Sequence, residues 1–138
     1  MNTSSLRPKV LIVEDQLIIA MMIEDAVIAA GLEVAGLASC AADAHHLASQ
    51  AEIALVDVNL TDGPTDPQIG ATLAAEGKAV IFMTGNPKEV SSGVPGTLGV
   101  IAKPVSDDDL VQVISFAAAH YAGSQHPTPR NLILFNRT

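Results

Sequence analysis

Tryptophan is absent from this chain, tyrosine occurs once and phenylalanine three times in 138 residues. Its interior must therefore be aliphatic. A single cysteine excludes an intramolecular disulfide. That residue, Cys40, lies between Ser39 and Ala41 and reads as a small buried or half-buried filler. Positive charge is equally scarce: 7 Lys and Arg face 15 Asp and Glu, a formal net charge of -8. No basic stripe can displace counterions from phosphates, which argues against a nucleic-acid surface and favours a protein partner or a bound cation. Long apolar runs are missing too. None approaches the ~18 residues of a membrane span, and Met1 to Lys9 lacks the apolar centre of a signal peptide, so a cytoplasmic protein without membrane contact is expected.

The chain does have a large apolar fraction, 49%, enough for one domain that buries its core without staples. Its apolar residues come in short runs bounded by turn residues, the pattern of strands buried on both faces. Lys9 to Val13 runs into Glu14 and Asp15, Ile53 to Val56 into Asp57, Lys78 to Met83 into Thr84, and Leu98 to Ala102 into Lys103. A weaker alternation over 33–38 predicts one more strand, making five. Between them lie helical patterns. Gln16 to Ala30 carries Ile19, Ile23, Ala26, Val27 and Ala30 at helical spacing and stops at Gly31. Ala41 to Gln50 is Ala-rich around Leu47, and Gln68 to Glu76 follows Pro67, a residue suited to a first turn. Ser106 followed by Asp107, Asp108 and Asp109 reads as a capping box with acids on the helix dipole, opening a helix to about Tyr121. From Lys88 to Gly96, serine, glycine and proline crowd together, predicting loop or one short turn of helix.

Strands alternating with helices imply right-handed crossovers and a doubly wound parallel sheet with helices on both faces, an α/β fold. Ligands of such sheets sit outside the carboxyl ends of the strands. Those ends carry Glu14, Asp15, Asp57, Thr84 and Lys103. Three carboxylates within a few ångströms do not all stay ionised without a positive partner, and a hard divalent cation with oxygen ligands suits them. A carboxylate beside such a metal can act as a nucleophile toward phosphorus and form an acyl phosphate, with the Lys103 ammonium and Thr84 hydroxyl binding the phosphoryl oxygens. Taken singly, Glu14-Asp15 is an ordinary solvated turn, Thr84 a strand-end residue and Lys103 a surface charge. It is their recurrence at four strand ends that points to a site.

The set Val13-Glu14-Asp15-Gln16, Val56-Asp57-Val58-Asn59, Met83-Thr84-Gly85 and Ala102-Lys103-Pro104 resembles the receiver domain (CheY-like) of two-component response regulators, over roughly Lys9 to Tyr121. The resemblance implies a flavodoxin-like five-stranded sheet of order 2-1-3-4-5. It implies Asp57 as phosphoacceptor from a kinase histidine, Mg²⁺ held by Glu14, Asp15, Asp57 and the main-chain carbonyl of Asn59, Thr84 as switch hydroxyl, Lys103 as phosphate-binding lysine and a cis bond before Pro104. Two departures stand out. The position three before the lysine, often aromatic in receivers, is Val100, and the fourth helix is weak or absent. With Phe82-Met83-Thr84-Gly85, these features are similar to divergent single-domain receivers bearing a Phe-Ala-Thr-Gly-type motif, associated with HWE-class kinases of alphaproteobacteria. Without the aromatic switch, ordering of the 86–97 segment becomes the expected route for the signal.

The expected organisation is a leader over 1–8, a receiver over 9–122 and a tail over 123–138 that is too short for an output domain. The function to match is a single-domain response regulator that takes phosphate from a histidine kinase or histidine phosphotransfer protein and acts through protein contacts or as a phosphate sink. It is a phosphoacceptor rather than a turnover enzyme. The alternatives are a Mg²⁺-dependent phosphohydrolase with Asp57 as nucleophile and a pseudo-receiver that is never phosphorylated. Against the hydrolase, the position two after the nucleophile is Asn59, whose amide cannot serve as a general acid.

Three features remain outside this site. The tail is a Gly/Ser/Pro linker that ends in Leu132 to Phe135, an apolar run that either folds back, stays disordered or adds a strand to a sheet edge, its own or a partner's, which makes oligomerisation through the tail possible. The first helix carries Leu17, Ile18, Met21 and Ile28 beyond its core stripe, with Ile18 and Met21 suited to docking a kinase helix pair. His45 and His46, adjacent on one helix, point apart and do not share a metal.

Overall fold

The computed structural model describes residues 8–58, 66–85, 96–103 and 105–135. In chain order the elements are β1 (Lys9–Val13), α1 (Leu17–Ala29), β2 (Glu33–Ala38), α2 (Ala41–Leu47), a 3₁₀ turn (Ala48–Gln50), β3 (Ile53–Asp57), α3 (Asp66–Ala75), β4 (Ala79–Thr84), β5 (Gly99–Ala102), α4 (Asp107–Ala122) and β6 (Leu132–Leu134). The sheet order is β2-β1-β3-β4-β5-β6. All neighbours are parallel except the last pair, in which β6 lies antiparallel on β5.

The first five strands follow the expected order 2-1-3-4-5, and their lateral positions follow from burial. Every residue of β3 and β4 is buried, so these strands occupy the middle of the sheet, where helices cover both faces. One face packs Val10, Ile12, Leu55, Ile81 and Ile101 under α1 and α4 through Ile23, Val27, Val113 and Ile114. The other packs Leu11, Val13, Val56, Phe82 and Val100 under α2 and α3 through Ala44, Ile69 and Leu73. β2, at the edge, alternates weakly because only one of its neighbours is a strand.

Local signals set the helix ends. Ser106 Oγ accepts the Asp109 N–H at 3.1 Å and opens α4, while Gly123, at φ 76°, closes it in the left-handed conformation glycine adopts without penalty. α2 is shorter than its Ala-rich pattern suggests and tightens into the 3₁₀ turn after Leu47. α1 buries Ala20, Ile23, Ala26 and Val27 and leaves Leu17, Ile18, Met21 and Ile28 exposed. Neighbouring helices therefore do not cover that extra apolar surface.

Among the described residues the sheet has six strands, one more than the alternating pattern predicts. A doubly wound sheet ends in an edge strand with unpaired N–H and C=O groups. Here Leu132 to Leu134 satisfies that edge, pairing with Ile101, Val100 and Gly99 in turn, and the Phe135 N–H reaches the Leu98 carbonyl at 3.0 Å. The apolar end of the tail thus folds back on its own sheet. The bond before Pro104, the Asn59 carbonyl and nearly all of the 86–97 segment, for which a weak or absent fourth helix is expected, lie outside the described residues.

Candidate functional site

β1, β3 and β4 end side by side because their apolar runs end in register. Val13 pairs with Val56, and Asp57 with Met83, so Glu14, Asp57 and Thr84 leave the sheet at one level. Main-chain bonds fix these ends: Glu14 N–H to the Ala38 carbonyl at 2.8 Å, Val58 N–H to Met83 at 3.0 Å, and Lys103 N–H to Thr84 at 2.8 Å. The last of these places the lysine backbone directly beside the threonine.

The side chains then converge. Carboxylate oxygens of Glu14, Asp15 and Asp57 lie within 4.8 Å of one another. Lys103 Nζ donates to Asp57 Oδ1 at 2.9 Å and to Glu14 Oε1 at 3.3 Å, spanning the two buried acids. Thr84 is fully buried at the end of β4. Five of the six residues expected from the sequence therefore belong to one locus, and the sixth, Asn59, lies outside the described residues. The pattern did not reveal two further contacts. Lys103 also bonds Glu14, and the Gln16 N–H donates to Glu14 Oε2 at 3.2 Å. Both depend on how the β1–α1 turn folds over the strand end.

Among the described residues, the electrostatics follow from the Lys103 ammonium set among three acids in a buried place. Burial, reinforced by the adjacent Asp57 carboxylate, raises Glu14 to about 7, with Lys103 and the Gln16 N–H pulling the other way. For Lys103, burial works against the charged form, but its hydrogen bond to Asp57 and the two nearby carboxylates outweigh it, and its pKa rises. Asp15 Oδ1 is buried without a hydrogen-bond partner. A buried carboxylate oxygen left unpaired is costly. Among the described residues three acids face one lysine, and a hard divalent cation with oxygen ligands fits the donor set.

The Glu14 shift has a measurable consequence for folding. A carboxyl raised from 4.5 to about 7 by folding holds its proton more tightly in the native state than in the unfolded one. The native chain therefore carries more protons across that window, and its metal-free stability falls as pH rises through it. Urea titrations at pH 5 and pH 8 check this, with Glu14→Gln expected to flatten the difference. Equal pH dependence of the two proteins would sink the assignment.

Other candidates from the sequence lie elsewhere. Cys40 is half-buried at the start of α2, and His45 and His46 are both exposed. Among the described residues, no helix is long and apolar enough to cross a membrane.

No protein-family model and no curated protein matches the sequence. Solved structures do. The PhyR response regulator receiver domain of Erythrobacter litoralis superposes with a TM-score of 0.69 at 22% identity, over 88% of this chain and 95% of that one. The response regulator PhyR of Brucella abortus gives 0.71 at 26% identity, over 88% of this chain and 53% of that one. The receiver domain protein (CheY-like) of Methanospirillum hungatei gives 0.74 at 23% identity, over 85% and 98%. This chain thus spans an isolated receiver domain almost completely and about half of the Brucella protein. Its structural neighbours are response regulator receiver domains, and its fold is theirs.

Proposed function

We propose that this chain accepts a phosphoryl group on Asp57 as a receiver in a two-component relay. The observation that carries this reading is the contact of Lys103 Nζ with Asp57 Oδ1 at 2.9 Å, at a strand end where Glu14 and Asp15 also gather. The likeness to solved response regulator receivers supports it.

In this reading an Asp57 carboxylate oxygen attacks the phosphorus of a phosphohistidine. The P–N bond breaks, its electron pair returns to the imidazole, and an acyl phosphate remains on Asp57. Lys103, already hydrogen-bonded to Asp57, stays beside the transferred group and pairs with a phosphoryl oxygen. The Thr84 hydroxyl, at the end of the neighbouring strand, donates to another. Glu14, Asp15 and Asp57, with the Asn59 carbonyl, would hold Mg²⁺, which when bound offsets the negative charge that the carboxylates and phosphoryl oxygens share. Because Glu14 must release its proton to bind a metal, Mg²⁺ is expected to stabilise the chain more at pH 8 than at pH 5.5.

The donor is a histidine kinase, of the HWE class by the motif around Thr84, or a histidine phosphotransfer protein. It docks on the uncovered apolar side of α1, where Ile18 and Met21 are exposed. The chain is a phosphoacceptor rather than a turnover enzyme. It has no acid at position 59 to protonate a leaving group.

Incubation with Mg²⁺ and a small phosphodonor, with Asp57→Asn as control, tests the assignment. A 1:1 acyl phosphate is expected, absent from the variant and measured by intact-mass spectrometry. Rapid multiple turnover would instead indicate the phosphohydrolase, and no adduct the pseudo-receiver. With a kinase as donor, Met21→Ala should slow transfer while leaving the small-donor reaction unchanged.

A further inference from the structure

The chain leaves α4 at the opposite end of the sheet from the candidate site, because His120 and Tyr121 line one cavity with Ala79 and Leu98, at the starts of β4 and β5. Leu132 nevertheless pairs with Ile101 near the site end of β5. Residues 124–131 must therefore run back along α4. Two contacts trace that path: the His126 ring meets Phe116 edge-on at 6.2 Å, and Asn131 Nδ2 donates to Asp109 Oδ2 at 2.5 Å.

This strap has little slack. The 16 residues of α4 span about 24 Å at 1.5 Å per residue. The steps from Gly123 to Leu132 reach about 30 Å when fully extended. Part of that reach is used by a turn at the end, where the Leu132 N–H bonds the Pro129 carbonyl at 3.1 Å. Pro127 and Pro129 fit a segment held extended.

The edge that β6 occupies is shaped for a strand. A methyl group on Gly99 would collide with the Ile133 carbonyl oxygen and come within 3.2 Å of the Leu134 Cα. Leu132 enters the aliphatic cluster of α1 and α4, and Phe135 enters the opposite face against Phe82, with ring centroids 6.4 Å apart. Arg130 and Asn131 both reach the Asp109 carboxylate. The segment Arg130 to Phe135 is thus held by polar anchors at one end, a backbone ladder, and one apolar side chain into each face of the sheet.

We propose that this β5 edge is a self-association surface. The Arg130–Phe135 segment of a second copy takes the place of the chain's own, in reciprocal exchange. The occupant is argued from the fit itself: the glycine gap, the Asp109 anchor and the Phe82 ring match this chain's own sequence. Each copy carries one such segment and one such edge, which closes a two-fold pair. The contacts within and between chains are the same, so the length of the strap selects between them. A short tether supplies an effective concentration on the order of millimolar, so the wild-type chain exchanges only near that concentration.

Shortening the strap tests this in the full chain. Deleting Pro127 and Thr128 leaves a reach below what the path along α4 needs. The variant is expected to dimerise at ~10 µM, about a hundredfold below the wild-type concentration, by light scattering, with β5 amides still protected from exchange. Inserting four Gly/Ser residues after Gly123 in that variant should restore the monomer. Gly99→Ala in the shortened chain should abolish the dimer while helical circular dichroism is retained. A shortened chain that stays monomeric overturns the proposal, whether its β5 amides exchange fast, because the strand has detached, or remain protected, because the strap had slack. A dimer unaffected by Gly99→Ala overturns it too.

Discussion

Lys103→Met is expected to destabilise the metal-free chain by about 3 kcal/mol at pH 8, because it removes the ammonium group that bonds two buried carboxylates. Losing one partner of a buried pair typically costs about 3–5 kcal/mol, and the lower end applies here because the lysine side chain keeps 22% of its exposure. The cost should shrink toward pH 5.5. Without Lys103, Glu14 loses an opposing charge and holds its proton more firmly still, so at low pH the fold no longer carries two uncompensated acids. Urea unfolding at both pH values, with and without Mg²⁺, measures this, and Mg²⁺ should recover part of the loss at pH 8. The same variant should lose at least about a hundredfold in the rate of Asp57 phosphorylation, since a preorganised charge beside a transferring group is worth on the order of 10²–10³ in rate. A Lys103→Met chain as stable as wild type at pH 8 would show that the lysine contributes nothing to the acidic cluster.

Phe82→Ala carries the other large effect, about 3–5 kcal/mol of lost stability. Its side chain lies in β4 and, among the described residues, is the largest of those that are fully buried. It meets two features that exist because of it. Gly70 in α3 lies against the ring so closely that a methyl group there would overlap the ring atoms, and Phe135 packs on it from the β6 edge. Gly70→Ala alone should cost about 1–3 kcal/mol by overpacking. Combined with Phe82→Leu, which shortens the side chain, the pair should cost less than the sum of the two, as residues in contact do. Denaturant midpoints of the two single variants and the double variant check this. Strict additivity would mean that the ring does not set the approach of α3.

Much of the candidate site is legible locally. Val10 to Val13 and Ile53 to Val56 are unbroken apolar runs, and an acid that follows such a run has to sit where the strand leaves the core. Residues 14, 15, 57, 84 and 103 are therefore readable as strand-end groups from residue type and order alone, and the alternation of strands and helices is enough to place those ends on one edge. The charge state of the cluster is not readable in that way. The rise of Glu14 to about 7 depends on Asp57 and Lys103, which are remote in sequence, and on a depth of burial that no local pattern encodes. Asp109 shows the same limit. Its place after Ser106 announces a helix cap, which is present, but its carboxylate also anchors Asn131 and Arg130.

By itself, the sequence determined the α/β class, the five parallel strands, the helix cap at Ser106, the stop at Gly31, and which polar residues stand at the strand ends. These follow from hydrophobic period and terminal residue type, which act over a few residues. Only the tertiary structure decided that Leu132 to Leu134 completes the sheet in its own chain, that Lys103 spans Glu14 and Asp57, and that Phe135 meets Phe82. An apolar segment announces that it will be buried. What buries it here is the β5 edge, where Gly99 leaves room for the Ile133 backbone, and that contact acts across a distance the local pattern does not span.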